Sequence, residues 1–314
     1  MARQVSINRV LMVACAVLLI GNAGWIVRGD RAESAQVSQT ALQHKYPLLS
    51  RRILADNPND ILINFVPLRK DLEARFNQIE AQRSFYFEYL PDGTSIRAGS
   101  DNELVAASLI KVPLCMNLYR AAELGRINLD KPVAVTGPEL DNAYGELWKQ
   151  GAGTTITLRQ AAQMALQQSD NTATHVIFDA MKGLLTADEE SLARLDVDQN
   201  MQAGQAVINA KSYSSVLKSL YFSSYLEKTN SQELLTYLTK STATNRLAKG
   251  LPPGVAVAHK IGVYNTSWSE SDCGIVYVPK RPYAICVMVG LPEDQADKFI
   301  ADISKTVYDF VGKQ

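Results

Sequence analysis

Ala107-Ser108-Leu109-Ile110-Lys111-Val112-Pro113-Leu114 reads as the opening turns of a helix, with Ser108 near its N-terminus and Lys111 one turn on. Residues three apart share a helix face, so the Ser108 hydroxyl and the Lys111 amine are within reach of each other. A serine hydroxyl is a weak nucleophile until a base takes its proton. A lysine becomes such a base when burial or a neighbouring cation lowers its pKa. Free backbone N–H groups at a helix start also suit a developing oxyanion. The pair is a short pattern, and its meaning depends on what surrounds it.

Upstream, Pro67 suits the first turn of a helix, and Leu68, Leu72, Phe76 and Ile79 follow at helical spacing. Phe85, Phe87 and Tyr89 alternate with Tyr86 and Glu88 as in a strand; Pro91-Asp92-Gly93 is a turn, and Thr94 to Ala98 return as a second strand. Downstream of the Ser108 helix lie loops and short elements. Thr157 and Gln160 then form a capping box, opening a helix that ends near Gln168. Ser169-Asp170-Asn171 stands between this helix and the apolar Val176-Ile177-Phe178, where Ser and Asp are ordinary caps. Residues 182–210 are the least regular. Helices are expected over Tyr213 to Tyr225 and Gln232 to Lys240. Val255, Val257, His259 and Ile261 alternate as a strand. Gly274 to Val278 and Tyr283 to Val289 make a hairpin about a turn at Pro279 to Pro282, and a last helix runs from about Asp294 to Val311. Strands at both ends and helices between them predict one antiparallel sheet. A helical block covers one face and the terminal helices cover the other.

The 314 residues are 46% hydrophobic and 20% charged, an ordinary globular composition, and 32 basic residues balance 32 acidic ones. No basic excess points to nucleic acid. The four cysteines, Cys15, Cys115, Cys273 and Cys286, form no Cys-x-x-Cys pair, and His44, His175 and His259 are far apart, so neither a metal nor a cofactor is expected. Cys115 reads as a small buried apolar residue. Cys273 and Cys286 flank the hairpin turn, and the register read from the sequence sets them diagonally, which disfavours a disulfide. Val10 to Val27 are apolar save Asn22, preceded by Arg3 and Arg9 and followed by Arg28, Asp30 and Arg31. This is a signal peptide or an uncleaved anchor. Trp25-Ile26-Val27 continues past the small residues Gly21-Asn22-Ala23, which favours the anchor. The expected organisation is 1–30 signal-anchor or signal peptide, 31–64 stalk or lead-in, and 65–314 the main domain.

Three motifs follow one another: Ser108-x-x-Lys111, Ser169-Asp170-Asn171 and Lys260-Ile261-Gly262. That order is the Ser-x-x-Lys, Ser-Asp-Asn, Lys-Thr-Gly series of class A β-lactamases and penicillin-binding proteins. Over residues 65–314 the chain therefore resembles the class A β-lactamase-related serine hydrolases, of the β-lactamase and penicillin-binding protein superfamily. The stretches Gln168 to Thr174 and Asp272 to Tyr277 share the likeness. The resemblance implies a mixed α and β fold: a five-stranded antiparallel sheet flanked by helices, plus an all-helical region. It implies Ser108 as the nucleophile that forms an acyl-enzyme, Lys111 as the base, and Ser169 as the relay to the leaving nitrogen. Asn171 would hydrogen-bond the substrate side chain or Lys111. Lys260 would hold the substrate carboxylate and help keep Lys111 neutral, and Gly262 would let substrate backbone lie close to its strand. The oxyanion would meet the N–H of Ser108 and a second one between Asn265 and Ser267. Implied substrates are β-lactams or the D-Ala-D-Ala ends of peptidoglycan stem peptides. The implied setting is a monomer in the bacterial cell envelope, outside the cytoplasm, held to the membrane by the N-terminal helix or secreted if that is cleaved.

Two positions depart from the pattern. Ile261 replaces a Thr or Ser whose hydroxyl contacts the substrate carboxylate. Class A enzymes also carry a Glu-x-x-Leu-Asn loop whose Glu activates the deacylating water, but Asn200 to Val207 contains no carboxylate. Glu189, Glu190, Asp196 and Asp198 are the other carboxylates in reach along the chain, and they read as a solvated acidic loop. Without a positioned base the acyl-enzyme should persist. The alternative is a catalytically weak or inactive penicillin-binding sensor or binding protein.

Overall fold

The computed structural model describes residues 63–99, 102–197 and 200–313. The apolar Val10 to Val27 segment, the lead-in before residue 63 and Asp198 lie outside the described residues. Among the described residues no helix is long and apolar enough to cross a membrane.

Helix α1 spans Val66–Asn77, with a proline in its first turn. Strands β1 (Arg83–Tyr89) and β2 (Thr94–Ala98) follow as an antiparallel hairpin. Late in the chain come β8 (Val257–Tyr264), β9 (Ser269–Val276), β10 (Tyr283–Val289) and a final helix over Glu293–Gly312, named α9 after the helices between. These strands join in the order β2-β1-β10-β9-β8, the expected five-stranded antiparallel sheet. β8 is an edge strand. Its outer N–H and C=O groups are not used by the sheet.

The sheet is buried on both faces, and the inner strands β1 and β10 are largely apolar on both sides of the pleat. Phe85, Phe87 and Tyr89 of β1, with Ile285, Val287 and Val289 of β10, pack on Leu68, Leu72 and Phe76 of α1 and Ile300, Ile303 and Val307 of α9. Tyr86, Ala284, Cys286 and Met288 point the other way, into a larger helical block. That block contains α2 (Lys111–Glu123), α3 (Leu158–Gln167), α4 (Asn171–Met181), α6 (Ala210–Tyr221) and α7 (Lys228–Thr239). The short α5 (Ser191–Arg194) and α8 (Arg246–Lys249) complete the helices of the described residues.

Two small sheets were not legible in the sequence. β4 (Pro132–Ala134) pairs with β5 (Thr155–Thr157). β3 (Leu104–Val105) pairs with β7 (Gln205–Ile208), which forms a hairpin with β6 (Asn200–Gln202). The irregular stretch thus folds back against the residues that lead into Ser108.

The cysteine expectation is corrected. Cys273 and Cys286 stand directly opposite each other in β9 and β10 and form a disulfide. β9 ends at Val276, two residues before the end read from the sequence, which moves the hairpin register by two. Cys115 is buried and free, as expected.

β8 alternates too. Paired residues of antiparallel strands share a face, so Lys260, Gly262, Ser271 and Cys273 share one, and Ile261, Val263, Glu270 and Asp272 the other. The second face carries a buried ionic cluster. The fully buried Arg246 donates from Nη2 to Glu270 at 2.5 Å, from Nε to Asp297 at 2.7 Å, and from Nη1 to the carbonyls of Gly262 and Ser271 at 3.0 and 2.8 Å. Asp272 accepts the Leu247 N–H at 3.0 Å and pairs with His259 Nδ1 at 2.9 Å. These bonds tie α8 and α9 to the edge strand. Removing one member leaves a buried charge uncompensated. Arg246→Met is therefore expected to lower stability by about 3–5 kcal/mol, read as a shift of the guanidinium unfolding midpoint. A loss under about 1 kcal/mol would show that the cluster does not hold the edge.

Candidate active site

Ser108 sits in a short 3-10 helix, Ala107–Ile110, that runs straight into α2. Ala107 adopts φ 45°, a left-handed conformation costly for a residue with a Cβ. The turn is held on both sides. The Ala106 N–H donates to Ala206 O of β7 at 2.8 Å, and the Tyr213 hydroxyl donates to Leu109 O at 3.1 Å. Ser108 is half-buried, and Lys111 is buried one turn on.

Ser108 and Lys111, though within reach on one helix face, share no hydrogen bond. Lys111 Nζ donates to Ser169 O at 2.5 Å, Ser169 Oγ at 3.1 Å and Asn171 Oδ1 at 2.6 Å. Its three N–H groups are thereby taken. Lys260 Nζ reaches the same hydroxyl, donating to Ser169 Oγ at 2.9 Å and to Ile261 O at 3.2 Å. Ser169 thus bridges two lysines from different parts of the chain.

Ser169 is placed by a strained turn. It follows α3 with φ 56°, and Asp170 then caps α4, accepting the Ala173 N–H at 2.8 Å. The other oxygen of Asp170 accepts the N–H groups of Glu146 and Leu147 at 2.8 and 2.9 Å. Asp170 is fully buried. Gly145, at φ +86°, lies so close that a Cβ there would meet Asp170 Oδ2 at 2.1 Å. No other residue fits. The cap reading of the triplet holds for Asp170, while Ser169 and Asn171 face the lysines.

Gly262 brings β8 against this turn. A Cβ on Gly262 would lie 2.9 Å from Ala106 O and 3.3 Å from Leu109 Cγ. The edge strand therefore passes the Ser108 turn at Gly262. Asn265 to Ser267, expected to supply an oxyanion donor, lie in the exposed turn beyond the end of β8. They are not the part of the strand that approaches the Ser108 turn, which is Gly262. Ile261 faces the α8 side with Asp272, away from Lys260, and Thr266 and Ser267 are exposed in the turn.

The described acidic candidates, Glu189, Glu190 and Asp196, make no hydrogen bond or ion pair to Ser108, Lys111, Ser169 or Lys260 among the described residues. Glu189 binds Arg126 with both oxygens, at 2.6 and 2.8 Å. Arg126 follows the far end of α2, roughly 20 Å along the chain axis from Lys111 at 1.5 Å per residue. The Arg126 guanidinium holds the Glu189 carboxyl well below its usual range, which makes it a poor base. Glu190 and Asp196 are exposed. Where the resemblance implied the base-bearing loop stands the β6–β7 hairpin. Among the described residues no group of His, Cys, Asp and Glu is arranged to hold a metal ion.

Electrostatically the site is a buried pair of amines. Burial lowers Lys111 to about 8, against the pull of Asp170 and Asp141. Burial, and then the neighbouring Lys111 ammonium, lowers Lys260 to about 7. Such a pair loses its first proton near neutral pH, which belongs to the pair rather than to either residue. Burial pushes the Cys115 thiol up to about 12, so it stays protonated.

A model of the β-lactamase enzyme family matches residues 67–311. The chain belongs to this family. It is thereby a serine hydrolase. It is similar to the extended-spectrum β-lactamase PER-1 of Pseudomonas aeruginosa, 26% identical over 231 residues that cover 65% of this chain and 74% of that one. Its fold matches the solved structure of PBP-A with a TM-score of 0.71 at 22% identity, covering 79% of this chain and 97% of that one. A mutant of PBP-A, solved as an acyl-enzyme complex with penicillin G, matches with a TM-score of 0.70 at 23% identity, covering 79% and 96%.

The lysine pair sets a pH dependence of stability. Both folded-state values lie below the ordinary lysine value of 10.5, so between about 7 and 10.5 the unfolded chain binds more protons than this family member does when folded. Stability then rises with pH across that window. The double variant Lys111→Met with Lys260→Met is expected to gain less stability between pH 7 and pH 9.5 than the unaltered chain, by urea unfolding. Equal gains would mean that the two amines are not depressed.

Proposed function

We propose that the chain is an acyl-enzyme-forming hydrolase of β-lactams or of D-Ala-D-Ala-type peptidoglycan amides, with Ser108 as nucleophile and slow deacylation. The observation that carries this reading is the Ser169 hydroxyl, shared by Lys111 at 3.1 Å and Lys260 at 2.9 Å beside the Ser108 turn. PER-1 and the penicillin G complex of the PBP-A mutant support the choice of substrate class.

Ser108 Oγ attacks the carbonyl carbon while its proton passes to Lys111, which burial keeps ready to be neutral. The oxyanion is met by the Ser108 N–H and the free edge of β8 near Gly262. The carbon–nitrogen bond then breaks. Ser169 accepts from two ammonium groups, so both its lone pairs are used and its own O–H is free to donate. That proton goes to the leaving nitrogen and is replaced from the lysine pair. Asn171 grips Lys111, and Lys260 presents positive charge to a substrate carboxylate. Ile261 contributes no hydroxyl there.

Hydrolysis of the ester needs a base for water. Asp170 is spent on three backbone N–H groups, and Glu189 on Arg126. This favours a long-lived acyl-enzyme, and it keeps the second reading, a penicillin-binding sensor, in play. The proposed setting is the cell envelope, with residues 1–30 as anchor or signal peptide and a monomeric domain outside the cytoplasm. The Cys273–Cys286 disulfide supports export, because such bonds persist in oxidising compartments.

The purified full chain, mixed with a chromogenic β-lactam, is expected to gain one covalent adduct by intact mass, and Ser108→Ala none. Acylation should slow as pH falls through about 8, where Lys111 takes up its proton. Rapid steady turnover would overturn the slow-deacylation reading. No adduct on the unaltered chain would overturn acylation by β-lactams.

A further inference from the structure

Asp141 is separated by 30 positions from Asn171, yet its Oδ1 accepts the Asn171 side-chain N–H at 3.1 Å. The same oxygen accepts the Ala143 N–H at 2.8 Å. The other end of the Asn171 amide, Oδ1, accepts Lys111 Nζ at 2.6 Å. An ionised carboxylate only accepts, and an ammonium only donates. Between them the Asn171 amide has a single satisfactory orientation, nitrogen to Asp141 and oxygen to Lys111.

The carboxylate is not the sole hold on its loop. The buried Thr172 hydroxyl donates to Asp141 O at 3.1 Å and accepts the Asp141 N–H at 2.9 Å. The Asp141 backbone is thus tied to Thr172 independently of the carboxylate, which serves the Asn171 amide and the Ala143 N–H.

We infer that Asp141 is a positioning residue, whose carboxylate orients the Asn171 amide and through it holds Lys111 against Ser169. The catalytic consequence rests on the serine-acylation reading; the geometry does not. Burial works to raise the Asp141 carboxyl. The Ala143 N–H, the Asn171 amide, His175 and Lys111 outweigh it, so it stays ionised at neutral pH. The groups acting on Lys111 are Asp170, Asp141 and Cys115, and Lys260 faces it across Ser169.

Asp141→Asn keeps an acceptor oxygen and loses the charge, whereas Asp141→Ala loses both. In the full chain, Asp141→Ala is expected to acylate with benzylpenicillin about tenfold more slowly, the size of one lost charge-assisted hydrogen bond. Asp141→Asn restores most of that loss. Lys111, followed by NMR at its ε-carbon, titrates lower in both variants, because a carboxylate that favours its ammonium form is gone. The Asn171 side-chain amide resonances shift in Asp141→Ala. Unchanged acylation, Lys111 titration and Asn171 resonances in Asp141→Ala would overturn the inference. If the unaltered chain forms no adduct, the acylation reading fails alone. The Lys111 titration and the Asn171 resonances need no substrate, and their constancy or change still decides the role of Asp141.

Discussion

Two ammonium groups held around one serine hydroxyl in a dry site are the constraint on which the rest depends. Lys111 comes from a helix start, Lys260 from an edge strand, and Ser169 from a turn between helices. Each amine is depressed by burial, and the second also by the first. A fold that brought only Lys260 here would lose the part of its depression that comes from Lys111, and Ser169 would accept from one amine instead of two. Assembling all three needs the sheet, the helical block and the turn to be mutually rigid. In this chain the strain at Ala107 and Ser169 is borne by that rigidity.

Asp170 supplies much of it. One buried carboxylate caps α4 and closes the Glu146–Leu147 loop, and Gly145 gives up its side chain to let it in. The same loop delivers Asp141 to Asn171. A residue with no direct part in the chemistry thus sets the positions of two that face it. The charge is tolerated inside because three backbone N–H groups converge on its two oxygens.

The opposite face of β8 is organised separately. Arg246, Glu270 and Asp297 tie α8 and α9 to the strand, and Asp272 joins His259 to Leu247. Because side chains alternate, the strand can carry Lys260 toward the catalytic side and this cluster toward the other without conflict. Ile261 belongs to the second face, which is why the departure from the third motif leaves the lysine–serine bridge intact.

The sequence alone determined the local elements. Alternation marked β1, β8 and β10, the Thr157–Gln160 box marked the start of α3, and three ordered motifs named Ser108, Lys111, Ser169, Asn171, Lys260 and Gly262. Capping, pleat and helical period are encoded within a few residues, so they can be read there. Only the tertiary structure decided what depends on register and distant contact. It put Cys273 opposite Cys286, because the hairpin turn begins two residues early. It gave Lys111 to Ser169 and Asn171 rather than to Ser108. It folded the carboxylate-free stretch near residue 200 into a hairpin on β3, and it brought Asp141 to Asn171. Those contacts join residues tens of positions apart, and nothing in the local pattern of either partner announces the other.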